Sequence, residues 1–262
     1  MRNLGSAANR VLRRLVGYEI RPITRDPSFR ARRNLVSTKG KCIEFIGPAG
    51  VGKTTLLNQA WHLISGDWYS RNDLASARLD RTPDLIDERV HWNLLVEKLQ
   101  SLEAGNFSGM QKLQLMHYFS NVLVNDVALR YANSTKGFFL DEGLCHNFSK
   151  QLEALGETDF AHMMSGRALV LVKQRDDTTV ARQIRERAMA GGGMVTHHHG
   201  RTADELAAAA KDSKIRLEAF AVRAEAAGVP LRIIHTEDPM DQKIEAVIEF
   251  ERRLLRGTPE TI

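Results

Sequence analysis

The pattern of apolar and polar positions changes character after Lys41. From there on, short and predominantly apolar runs alternate with long stretches in which an apolar residue recurs every three or four positions. Four runs predict buried strands, at Cys42–Ile46, Gly137–Asp141, 168–173 and Leu231–His235. A fifth, weaker strand signal lies at 75–79. The stretches between them predict helices. One covers 54–64. Two others carry the stripes Leu85, Val90, Leu94, Leu95, Leu99, Leu102 and Leu113, Met116, Phe119, Leu123, Val127. Thr202 with Glu205 three positions later is a capping box that opens an alanine-rich helix, closed by Gly228 and Pro230 just before the last strand. Asp238-Pro239 then starts the final helix, because proline is tolerated in the first helical turn. Strands alternating with helices imply a mainly parallel sheet with helices on both faces.

Ahead of Lys41 the texture is different. Positions 9–20 place Val11, Leu12, Leu15 and Val16 on one helical face, with Arg10, Arg13 and Arg14 on the other. Positions 21–37 have two prolines and no period, as a linker does. The division expected is therefore a basic arm and linker over 1–40 and a globular domain over 41–262. The net charge of +5 follows this division. Residues 1–41 hold eleven Lys or Arg against Glu19 and Asp26, a local +9, which leaves about −4 on the remainder. A mildly acidic body is not the footprint of a sequence-specific nucleic-acid binder. The arm suits packing on the body with a solvated basic face, contact with an anionic membrane surface or contact with a protein partner. An organellar targeting peptide fits less well, since Ser6 is the sole Ser or Thr in the first twenty positions. No stretch approaches the roughly 20 apolar residues of a membrane span, and no signal peptide is apparent. With two cysteines in 262 residues, a reducing, cytoplasmic setting is expected, with peripheral membrane attachment through the arm as its variant.

Three segments carry chemistry. Gly47-Pro48-Ala49-Gly50-Val51-Gly52-Lys53-Thr54 matches the P-loop pattern in full, directly after a predicted strand and before a predicted helix that continues with Thr55. Glycines let successive backbone N–H groups turn inward on an anion, and the helix N-terminus adds its positive end. Lys53 is then placed for the β- and γ-phosphates and Thr54 for Mg²⁺. The second segment, Phe138-Phe139-Leu140-Asp141-Glu142-Gly143, is an apolar strand ending in acid. Asp141 is expected on the metal side, and Glu142 where it can take a proton from an attacking hydroxyl or water. The third follows the strand at 168–173. A helix over 178–190 bears Arg182, Arg185 and Arg187, runs into Gly191-Gly192-Gly193, and leads to His197-His198-His199. A basic helix on a glycine hinge is suited to closing over phosphates, with the lid at about 182–201. The three histidines are expected to form a surface loop, since consecutive side chains diverge.

In this order, the segments resemble the nucleoside and nucleotide kinases of the P-loop superfamily, especially the thymidylate-kinase-like branch, over roughly 41–255. The resemblance implies a three-layer P-loop NTPase fold with a five-stranded, mainly parallel sheet, helices on both faces and a lid. It also implies ATP as phosphoryl donor with Mg²⁺, and a small-molecule acceptor walled by the helices at 85–102 and 110–131. An adenine-binding loop would fall on Thr236, Glu237 and Asp238. Asp80 and Arg81 would be candidate acceptor contacts after the second strand. Such kinases commonly place arginine after the strand acid, whereas Glu142 stands there in this chain. An Asp-Glu pair is the usual water-activating arrangement of ATPase switches, so hydrolysis of ATP in a regulatory ATPase is the alternative to phosphoryl transfer. Trp68, Tyr69 and Trp92 could stack on a base, but are expected as buried core.

Overall fold

The computed structural model describes residues 42–64, 68–70, 89–131, 137–175 and 202–256. The chain divides into two units, Met1–Thr38 and Lys39–Ile262, and all described residues belong to the second. They form an α/β arrangement of β1 (Cys42–Ile46), α1 (Lys53–Trp61), β2 (Trp68–Ser70), α2 (Arg89–Glu103), α3 (Gly109–Tyr131), β3 (Gly137–Asp141), α4 (Leu144–Glu153), α5 (Glu157–Met164), β4 (Arg167–Lys173), α6 (Ala203–Ala226), β5 (Leu231–His235) and α7 (Met240–Arg256). The strands make one sheet in the order β2-β3-β1-β4-β5 with every pairing parallel.

Both faces of the sheet are covered, and the strands alternate between two apolar layers. Ile43 and Phe45 of β1, with Ala168, Val170 and Val172 of β4, pack against α1 and α7. Ile46, Leu169 and Leu171 pack into the opposite layer with α2 to α6. Burial on both sides explains why these strands read as apolar runs rather than as alternating ones.

Several expectations change in detail. β1, β3 and β5 have the predicted bounds, and β4 starts one residue earlier, at Arg167. The second strand is Trp68–Ser70, which the sequence does not single out; the weak signal at 75–79 lies outside the described residues. Trp68 is buried, and its indole N–H donates to Glu251 Oε1 at 2.7 Å, tying β2 to α7. Trp92, by contrast, is 64% exposed and is not core. The side chain of Tyr69 and residue Leu85 lie outside the described residues. Leu113 and Met116 are exposed as well. The buried seam of α3 runs through Leu115, Phe119, Val122, Asp126 and Leu129, where a buried acid interrupts the apolar pattern. Helices α4 and α5 have no counterpart among the predicted elements. The capping box forms as read: the Thr202 hydroxyl accepts from Glu205 N, and Glu205 Oε2 accepts from Thr202 N at 2.7 Å.

Candidate functional site

The topology selects one place on the sheet. Neighbouring strands β1 and β3 send their following helices to opposite faces, α1 into the Phe45 layer and α4 into the Leu144–Phe148 layer. A crevice therefore opens beyond the carboxyl ends of these two strands, where open α/β sheets bind ligands. The register pairs Phe45 with Asp141, so the loop after Ile46 and the acid pair ending β3 share that edge.

The loop from Gly47 to Gly52 is built from main-chain conformations that side chains disfavour. Gly47, Gly50 and Gly52 have φ of 149°, 81° and 90°. At Gly47 the reason is also space, because a Cβ would stand 2.1 Å from the carbonyl oxygen of Val172. Val51 is buried under the loop and anchors it. Helix α1 follows at once, with no side chain capping its N-terminus, so its first amides face the crevice without a side-chain acceptor. Thr55 is exposed on that first turn.

Four side chains meet here. Lys53 is 3% exposed, and its ammonium donates to the carbonyls of Gly47 and Pro48, both at 2.9 Å, and lies 3.2 Å from Glu142 Oε1. The Thr54 hydroxyl donates to Asp141 Oδ2. A hydroxyl beside a carboxylate is a pair of hard oxygen donors, which suits Mg²⁺ held jointly with phosphate oxygens. No group of three or more His, Cys, Asp or Glu among the described residues could hold a metal by itself. The fit is therefore to a cation that arrives with its ligand.

Glu142 has φ 57°, the left-handed region, which is unusual for a side chain other than glycine, asparagine or aspartate. The surroundings fix this turn. Asn147 Nδ2 donates to the carbonyls of Glu142 at 2.7 Å and of Gly143 at 2.8 Å. Below, the fully buried Glu44 of β1 accepts from the His146 amide at 2.9 Å. A Cβ on Gly143 would come 2.9 Å from the Glu44 carboxyl carbon, so the close approach of this turn to Glu44 requires glycine. Glu44 is itself paired with Arg167 at 3.3 Å. Arg167 also binds Asp126, which takes further bonds from His91 Nε2 at 2.9 Å and Arg130 Nε at 2.8 Å. A buried ionic array thus joins α2, α3, β4 and β1 directly beneath the acid pair. A cavity lined by Asn125, Asp126, Asp141 and Glu142 lies between the array and the site.

His146 sits 3.8 Å from Glu142. Burial, and after it the Lys53 charge, push its imidazole down to about 3, against an upward pull from Glu142. The ring is therefore neutral and the contact is not an ion pair. Further along the same sheet edge, Arg175 N donates to Glu237 Oε1 at 2.7 Å and Arg175 Nη2 to Asp238 Oδ1 at 2.8 Å. Thr236 N donates to the Lys173 carbonyl at 2.9 Å. The loops after β4 and β5 are thereby stapled together.

The structure thus brings Lys53, Thr54, Asp141 and Glu142 into one site. Arg182, Arg185, Arg187, His197–His199, Asp80 and Arg81 lie outside the described residues. Glu44, His146 and Asn147 belong to the site but were not read from the sequence; the one available signal was a charged residue inside the otherwise apolar run Cys42–Ile46. The chain matches no protein-family model, and no characterised protein is similar to it in sequence. No helix among the described residues is long and apolar enough to cross a membrane.

Proposed function

We propose that this chain is a phosphotransferase with a P-loop NTPase fold, moving the γ-phosphate of ATP to a small-molecule acceptor. The observation that carries the reading is the meeting of Lys53 and Thr54 from the glycine loop with Asp141 and Glu142 from the end of β3. The backbone N–H groups of Gly47, Ala49, Gly50, Val51, Gly52, Lys53, Thr54 and Thr55 form the phosphate cradle, and Pro48, which has no N–H, shapes the loop between them. Lys53 exchanges its bonds to the Gly47 and Pro48 carbonyls for phosphate oxygens. Thr54 and Asp141 hold Mg²⁺, whose chemistry is to neutralise charge on the phosphates. Glu142 accepts the proton of the attacking hydroxyl. Arg182, Arg185 and Arg187 are assigned to a lid, and the basic arm to a membrane surface or protein partner in the cytoplasm. Positioning and charge neutralisation supply most of the catalysis in such a site.

Glu142 also supports a second reading. An acid directly after the metal-side acid, 3.2 Å from the loop lysine, can activate water instead of an acceptor, as in an ATPase switch. One experiment separates the two: ADP release is measured with and without a panel of nucleosides, nucleotides and sugars, with Lys53→Ala and Glu142→Gln as controls. Acceptor-dependent release supports transfer. Release indifferent to every acceptor, but raised by a protein or by lipid vesicles, supports the switch.

A further inference from the structure

Beyond Glu142 the chain gathers positive charge that the reaction above does not use. Lys150 stands four residues after the neutral His146 on α4, beyond the kink at Phe148. Two cations reach α4 from neighbouring helices. Lys98 of α2 donates Nζ to the Asn147 carbonyl at 2.6 Å and lies 4.4 Å over the Phe119 ring. Arg216 of α6 donates Nε to Ser149 Oγ at 3.1 Å. Lys98 and Arg216 thus reach α4 at Asn147 and Ser149, which lie between His146 and Lys150 in the chain, on either side of the kink at Phe148. Among the described residues, no carboxylate forms an ion pair with Lys98, Lys150 or Arg216. Beside this stretch, Lys150 and Gln151 line a groove of about 410 Å³ that they share with Glu97, Gln100 and Ser101 of α2. Gln151 is 5% exposed, and its Oε1 is buried there without a hydrogen-bond partner.

We propose that this stretch of α4 is an anion subsite, which holds a phosphate or carboxylate carried by the acceptor about one helical turn from the hydroxyl presented to Glu142. The inference rests on the phosphotransferase reading and gives it a substrate class: a hydroxyl acceptor that already bears a separate anionic group. Lys98 is largely buried with no ion-pair partner among the described residues, and only Arg216 has acids near it, Glu153 and Asp212; a buried, uncompensated cation is costly, and a bound anion offsets that cost. The titration of Lys98 agrees. Burial, then Arg216 and Lys150, push its ammonium down to about 8, and an anion between them reverses the two repulsions. The groove, with its amides and hydroxyl, takes the uncharged body of the molecule. Phe119 and Phe148 under Lys98 keep its ammonium on the α4 side.

The test uses the full chain, with inorganic phosphate as probe in saturating MgADP, so that the glycine loop is already filled. Calorimetry is expected to find phosphate binding that falls about tenfold in each of Lys98→Met and Arg216→Met, the loss of one charge-assisted hydrogen bond. The Lys98 Cε NMR titration, assigned by its disappearance in Lys98→Arg, is expected to move from about 8 towards the ordinary lysine value when phosphate is added. In turnover, a polyol phosphate and a sugar acid should each be preferred over the matching neutral polyol, and Lys98→Met should raise the KM of the charged acceptors alone. Comparing the phosphate and carboxylate arms tells which anion is the natural one. Phosphate binding that MgADP abolishes, or a Lys98 titration blind to phosphate, overturns the subsite. So does equal use of neutral and charged acceptors. Failure to bind MgADP at all instead removes the phosphotransferase reading, and the Lys98 titration then still decides whether the anion site exists.

Discussion

The ammonium of Lys53 lies 3.2 Å from Oε1 of Glu142, although 89 positions separate them along the chain. The same ammonium is bound by the carbonyls of Gly47 and Pro48, so the protein holds this cation on its own oxygens. The two residues should fail differently. Lys53→Ala is expected to weaken MgATP binding at least about tenfold, as the loss of a charged hydrogen bond implies. Glu142→Gln is expected to leave that affinity intact or raised, because it removes a competitor for Lys53, while turnover falls about 10²- to 10⁴-fold with the loss of the base. Calorimetry and ADP release on both variants check this. Wild-type turnover in Glu142→Gln would remove Glu142 from the chemistry.

Gly143 shares its space with Glu44. Gly143→Ala is expected to cost about 1–3 kcal/mol, since the new methyl must displace a buried carboxylate. The cost should shrink in a Glu44→Ala background, where the obstacle is gone, and thermal unfolding of the four proteins of this cycle measures the coupling. Equal costs in both backgrounds would show that the clash is relieved elsewhere.

Arg167 is the only described cation bridging Glu44 and Asp126. Arg167→Met alone should cost about 3–5 kcal/mol, because it strands buried charge, whereas Arg167→Met combined with Glu44→Met and Asp126→Leu should recover much of that loss. Urea unfolding of the single and triple variants checks the order. A triple variant less stable than the single one would contradict it.

His146 makes stability depend on acid. An unfolded histidine binds a proton below about 6.5, but the folded His146 does so only near 3. Unfolding therefore takes up a proton in that window, and stability falls as pH drops from about 6.5 to 3, by up to about 1.4 kcal/mol per pH unit from this group. His146→Asn should lose less stability than the wild type across the same range. Parallel Tm curves from pH 7 to 4 would show that the folded imidazole is not held neutral.

Much of the fold was legible because parallel strands buried on both faces need predominantly apolar runs, and β1, β3 and β4 have them; the edge strand β5 is only part-buried and was marked as much by Gly228 and Pro230 before it. The Thr202–Glu205 box was legible because capping is local chemistry. The failures have causes as definite. Three residues of β2 are too few to show a period. The seam of α3 was shifted in reading because Asp126, solvated in most settings, is here neutralised by Arg167, Arg130 and His91. Helix α4 buries Ser149 and Gln151 and has no capping side chain, so neither periodicity nor a start signal marks it. At the site, Gly47–Thr54 and Asp141-Glu142 announce themselves by residue type. Glu44 and Asn147 act through a tertiary approach that no local pattern encodes.

Titration calorimetry of the full-length protein with ATP and with GTP, each with and without magnesium, tests the central claim most directly. One-to-one binding of a nucleoside triphosphate, strengthened by magnesium and lost in Lys53→Ala, is the predicted result. No heat with either nucleotide at millimolar concentration, in a sample that unfolds cooperatively, would contradict the phosphate cradle at Gly47–Thr54 and every assignment built on it.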